Sequence, residues 1–222
     1  MNPTAIVVTL AAALLGTAGP LRGQSPDTPA QAADSTRLFI MPTGRTLAQG
    51  SGYLEMIGLG VAQFQTAMGD WVSMGAGTPS LVFTGARPVW LTPKVALARS
   101  ARVNAAAGTI HYFAPGGGSG GFAYAAVSIN QQATSVTVGV MQGYGDIPSE
   151  ARVVCLGFER RRSEHTRVLF EAEIFQNGAL VVAGVRRVHK RFTSDFGLAV
   201  PLSSDFGGPL IAFPVISFGW RF

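Results

Sequence analysis

Past residue 50 the chain keeps returning to one pattern, in which polar and apolar side chains alternate one by one over segments of roughly nine to twelve residues. Successive side chains of a strand point to opposite faces, so each such segment reads as a strand with one wet and one greasy side. In RFTSDFGLAVPL, Phe192, Ser194, Phe196, Leu198, Val200 and Leu202 alternate with Arg191, Thr193, Asp195 and Gly197. In TRVLFEAEIF, Val168, Phe170, Ala172 and Ile174 oppose Glu171 and Glu173. SVTVGV sets Val136, Val138 and Val140 against Ser135, Thr137 and Gly139, and ARVVCLGFER sets Val154, Leu156 and Phe158 against Cys155, Gly157 and Glu159. VWLTPKVALAR places Val89, Leu91, Val95 and Leu97 opposite Thr92, Lys94 and Ala96, with Arg99 on the apolar parity beside the next turn. Helical spacing explains these segments poorly, and no fixed-length repeat of the solenoid kind is present.

Alternation alone suits either a soluble β-sandwich or a closed barrel, so the connections decide. Counted back from Phe222 they are residues 203–211, 188–191, 176–178, 161–165, 143–150, 130–134, 114–121, 100–102, 77–88 and 69–70. Apart from QNG at 176–178, long and short connections alternate, the mark of an up-and-down barrel with short turns on one side of an outer membrane. Charged residues make up 13% of the chain where about 25% is usual, a poor composition for a wholly water-facing surface. Beyond residue 20 no apolar run is long enough for a membrane helix, so any crossing is by strands. The sequence predicts an all-β, transmembrane antiparallel up-and-down β-barrel of about twelve strands. Parity demands a crossing upstream of residue 53, and TRLFIMPTG (36–44), followed by RTLAQGS as an outer loop, is the candidate. Pro42 would have to sit at a strand end or bulge. A ten-strand closure, with part of residues 36–68 inside or outside the barrel, is the alternative.

The chain divides into a predicted signal peptide (1–23), a flexible lead-in (24–35) and the barrel (36–222). AIVVTLAAALL, residues 5–15, is an apolar run of export-signal length followed by the small and breaking residues GTAGP. The lone Cys155 excludes an internal disulfide. The last ten residues, FPVISFGWRF, carry Pro214, Ile216, Phe218, Trp220 and Phe222 on one face. This ending resembles the C-terminal recognition signal of bacterial outer-membrane β-barrel proteins, in which a terminal Phe follows aromatic or apolar residues at alternate positions. The stretch from Arg37 to Tyr53, RLF-x-x-PTGR-x-L-x-x-G-x-GY, is similar to openings found in a porin-like group of such proteins. The resemblance implies a place in the bacterial cell outer membrane, contact with outer-membrane lipid, and reading of Phe218, Trp220 and Phe222 by the barrel-assembly machinery. It carries no activity.

Charge assigns the faces. Arg or Lys on the lipid side at mid-bilayer costs about 2–4 kcal/mol, so charges well inside strands should point inward. Glu55, Lys94, Glu159, Glu171, Glu173, Asp195 and Arg221 are therefore predicted to line the lumen, with Gln63, Gln65, Thr92, Thr137 and Thr193. The expected function is a narrow porin-like channel for small polar solutes; the alternative is a structural or plugged barrel that passes nothing, since twelve strands lie between filled and open sizes. An outer-membrane lipid hydrolase is less supported: of His111, His165 and His189 only His111, which shares the face of Thr109 before a long loop, is placed to act, a core or lumen role suits it better, and no serine sits in a nucleophile elbow. The basic runs Arg160–Arg162 and RRVHKR (186–191) read as solvated turns, or as a site for anionic lipid or a periplasmic polymer. APGGGSGG lacks the Lys and helix of a phosphate loop and reads as a flexible connection. No residue spacing implies a metal or another cofactor, and nucleic acid does not suit an exported chain.

Overall fold

The computed structural model describes residues 36–58, 60–79, 87–203 and 211–222. The predicted signal peptide and lead-in lie outside the described residues.

Thirteen strand segments run through the described residues. The first three are β1 (Gly52–Ile57), β2 (Val61–Ala67) and β3 (Val72–Pro79). Then come β4 (Val89–Leu91), β5 (Lys94–Arg99), β6 (Val103–Phe113), β7 (Ser119–Gln131) and β8 (Thr134–Gly145). The chain closes with β9 (Arg152–Arg161), β10 (Thr166–Phe175), β11 (Gly178–His189), β12 (Phe192–Ser203) and β13 (Phe213–Arg221). β4 and β5 are two halves of one crossing, broken at Thr92 and Pro93, since both lie between β3 and β6. Proline has no N–H for the ladder, which accounts for the break. The result is a closed, antiparallel, twelve-strand barrel.

Every neighbour in the ring is antiparallel and next in sequence, except at the seam where β1 pairs with β13. Gly52 and Phe222 exchange both backbone hydrogen bonds there, at 3.2 and 3.1 Å. Closure removes the free edges that an open sheet would present to lipid. A two-layer sandwich is thereby ruled out. Turns at 68–71, 100–102, 132–133, 162–165 and 190–191 gather at the rim that carries Phe222, and the other ends of the strands lie at the opposite rim.

The predicted number of crossings stands, but one of its members does not. TRLFIMPTG is not a wall strand, and RTLAQGS is not an outer loop. The extra crossing comes from within residues 52–67, where the chain reverses after Gly58 (φ 57°) and makes two strands, β1 and β2. Positive φ costs glycine least, and GLG supplies it in the middle of what otherwise reads as one long strand. With β1 holding both β2 and β13, no place in the wall is left for residues 36–44.

Outside, the register lines up apolar rows across strands. Phe158, Phe170, Ala183, Leu198 and Pro214 form one, Val168, Val185, Phe196 and Ile216 the next. Leu97, Ile129, Val140, Leu198 and Phe218 are all more than half exposed, a surface that suits hydrocarbon and not water.

Candidate functional site in the barrel interior

Residues 36–47 occupy the interior. Thr43 N–H donates to Thr36 O at 2.8 Å and Leu38 N–H to Met41 O at 3.0 Å, making a tight hairpin with Phe39 and Ile40 at its tip. Its partners come from β1, β5, β7, β9, β10, β11 and β12. A segment that touches strands on all sides of a closed ring lies inside it. Leu38, Phe39, Met41, Thr43, Thr46 and Leu47 are buried accordingly.

Glu171, in mid-β10, holds the tip. Its carboxylate accepts the N–H of Phe39 at 2.8 Å and that of Ile40 at 3.1 Å. Two adjacent backbone N–H groups aimed at one anion form a small nest. The wall makes room on both sides. A Cβ at Gly157 would collide with the Leu38 side chain, and one at Gly197 would lie 3.0 Å from the Phe39 ring. A side chain at either position would press on the hairpin.

Further toward the Phe222 rim the contacts are ionic. Arg37 pairs with Glu55, with its Nε 2.6 Å from Oε2, and lies 3.9 Å from Asp195. Asp195 takes Arg186 through both oxygens at 2.7 Å and a hydrogen bond from Ser217 at 3.0 Å. Arg186 also donates to Leu38 O at 2.8 Å, so one guanidinium joins wall and hairpin. Glu159 is shared by Arg45, at 2.7 Å, and Arg167. Lys94 Nζ donates to Thr36 O at 2.9 Å. Gly44 N–H donates to Ser128 Oγ at 2.9 Å, and Ser128 bonds Thr137 Oγ1 at 2.7 Å. Buried charges persist when paired and hydrogen-bonded: each of these arginines faces a carboxylate, while Lys94 has its hydrogen bond to the Thr36 carbonyl.

Of the twelve positions predicted for the lumen, eleven lie in strands on the side opposite the outward apolar rows, and Thr92 lies in the break between β4 and β5. Glu55, Lys94, Glu159, Glu171 and Asp195 hold the hairpin directly. Gln63 donates to Glu55 at 2.8 Å, and Gln65 links Tyr53 to Ser73. Thr137 acts through Ser128. Thr92 faces Gly75 and Thr193 faces Gly219, each threonine hydroxyl filling the space above a glycine. Glu173 is buried on the far side of the tip, opposite Cys155 and Leu180, and Arg221 lies opposite Tyr53 near the Phe222 rim.

Sequence reading missed the hairpin cations Arg37 and Arg45 and the wall residues Arg167 and Arg186. Arg186 is fully buried, which corrects its reading as part of a solvated basic turn. Parity could not place it, because β11 is apolar on both faces: Val181, Ala183 and Val185 point out while Leu180 and Val182 point in. The inward pair is explained by the hairpin, since Leu38, Phe39 and Met41 pack on Val153, Cys155, Leu169 and Val182. His111 is a second correction. It is neither a core nor a lumen histidine but faces outward, Nδ1 2.8 Å from the Tyr144 hydroxyl and its ring 4.6 Å from that of Phe113. His165 and His189 lie beside each other at the Phe222 rim, ring centroids 6.0 Å apart.

An apolar exterior, a ring without edges and a charged interior define a membrane-spanning β-barrel, here with an internal hairpin. Among solved structures the chain is similar to the KdgM porin, with a TM-score of 0.57 at 8% sequence identity over 78% of this chain and 98% of that one. It is equally similar to the KdgM porin in complex with disordered oligogalacturonate, TM-score 0.58 at 8% identity with the same coverage. The NanC porin in a rhombohedral crystal form gives 0.51 at 10% identity, again over 78% and 98%. At such identities the likeness is one of fold. No family model matches the chain, and no curated protein matches it in sequence.

Proposed function

We propose that this protein is a narrow porin-like channel of the bacterial outer membrane for small polar solutes, with residues 36–47 setting its bore. The observation that carries this is the independence of wall and hairpin. The β1–β13 seam closes the ring by itself, while the hairpin is attached through side chains, outside the ladder of the wall. Take the hairpin away and the interior presents Glu55, Lys94, Glu159, Arg167, Glu171, Arg186 and Asp195 to water. Both signs are present, which favours small polar solutes over a strict choice of anion or cation. The fold likeness to porins supports the reading, and the oligogalacturonate in one of them is a precedent for a polar saccharide in such a lumen. The protein acts as a channel and not as an enzyme. Phe218, Trp220 and Phe222 serve as the segment that the barrel-assembly machinery reads, with the Phe222 rim on the periplasmic side.

A closed, purely structural barrel is the second reading, favoured by the apolar packing of Leu38, Phe39 and Met41 at mid-height. Planar-bilayer conductance of refolded protein separates the two. The channel reading expects stepwise currents from the full chain, larger ones when residues 36–47 are removed, and altered ion selectivity with Glu171→Lys. Silence from the full chain with currents from the shortened one identifies a plug. Silence from both identifies a structural barrel.

A further inference from the structure

The two basic runs of the sequence are separated by some twenty residues, yet the sheet brings them to one place. Val188 N–H donates to His165 O at 2.9 Å, which sets the 162–165 turn against the end of β11. Around this contact Arg162, His165, Arg187, His189, Lys190 and Arg191 are all exposed, and Glu164 is the acid among them. The opposite rim is balanced: its described connections and strand ends carry Arg87 and Arg152 against Asp146 and Glu150.

Register gives the depth of the patch. Arg160 shares the outward row of Val168, Val185, Phe196 and Ile216, and Arg187 lies one row nearer the rim with Thr166, Ser194 and Phe218. Rows are two residues apart, roughly 7 Å. The cations therefore begin where the hydrocarbon-facing surface ends, at the level of lipid phosphates. Trp220 and Phe192 share the row of His189, an aromatic pair at the same boundary. Arginine meets phosphate through two parallel hydrogen bonds, and several such groups beside an apolar wall can hold the headgroup while acyl chains lie along Phe158, Val168 and Val185.

We infer that this face, on β9 to β11 at the Phe222 rim, is a binding site for an anionic phospholipid of the adjoining leaflet. The inference presumes a membrane-spanning barrel, which heat-modifiable gel mobility tests separately. The full chain is refolded in nanodiscs of equal phosphatidylglycerol and phosphatidylcholine, released into detergent, and its retained lipids are weighed by native mass spectrometry. Phosphatidylglycerol is expected in excess over its share. The Arg162→Gln, Arg187→Gln and Lys190→Gln variants should each lose it about five-fold, the effect of one surface cation near an anionic membrane. Gln132 occupies a two-residue turn with φ of 51°, beside 53° for Lys190, so glutamine suits that backbone. Arg152→Gln at the other rim is expected to change nothing. Retention in proportion to bulk composition overturns the inference, as does an unchanged excess in a variant that keeps its heat-modifiable mobility. Displacement of phosphatidylglycerol by lower concentrations of lipopolysaccharide would assign the patch to the other leaflet and also overturn it.

Discussion

At the scale of single residues, the interior is organised by a few carboxylates that each do two things. Asp195 fixes Arg186 within the wall and lies within reach of Arg37 on the hairpin. Removing one partner of a buried pair leaves the other charge stranded, at a cost of about 3–5 kcal/mol. Asp195→Ala is expected to lower the stability of the refolded protein by that amount in urea titrations followed by tryptophan fluorescence; a loss under 1 kcal/mol would mean that the pair behaves as an exposed one. Charge made these residues legible. A carboxylate in mid-strand has one affordable direction, so Glu55, Glu159, Glu171 and Asp195 could be placed inward from parity alone. Arg186 could not, since it follows an apolar run and stands next to Arg187, which points outward.

At the scale of elements, strands were legible where one face is polar and the other is not, as in β10 and β12. The hairpin was not, because its apolar run Leu38–Met41 suits a wall strand as well as a buried insert. Arg37 pairs across to Pro42, so the local conformation is extended; the error lay in its partner, which no local pattern encodes. The β1–β2 reversal was hidden for the opposite reason. Its turn is so short that odd-numbered residues share one face in both β1 and β2, as they would in a single strand. Cys155 offers a test of how the hairpin is seated. It is 1% exposed, on the inner face, in the cluster built around Leu38 and Met41. A membrane-impermeant maleimide should leave it unmodified in the full chain and label it readily once residues 36–47 are removed, with mass spectrometry as the readout. Gly157→Val, which fills the space taken by Leu38, should give an intermediate rate. Equal labelling of all three proteins would show that the hairpin does not shield the interior.

At the scale of the whole molecule, two surfaces of opposite character are separated by one layer of backbone. Nitroxides at Val140 and Leu198, which are 55% and 56% exposed, should be relaxed by oxygen dissolved in the acyl chains, while one at the fully buried inward Ala106 should not. Accessibility of the outward pair to a water-soluble nickel complex instead would remove the membrane from the account. The barrel itself could be foreseen because lipid imposes a strict rule on every strand; its contents could not, because the interior answers to a segment far away in sequence. Phe39 and Glu171 are 132 positions apart, Leu38 and Arg186 148. Made early by the ribosome, residues 36–47 find their resting place only when β9 to β12 exist to receive them. Synthesis and settlement thus run in opposite order, and until the late strands are in place residues 36–47 are a guest waiting for its room to be built.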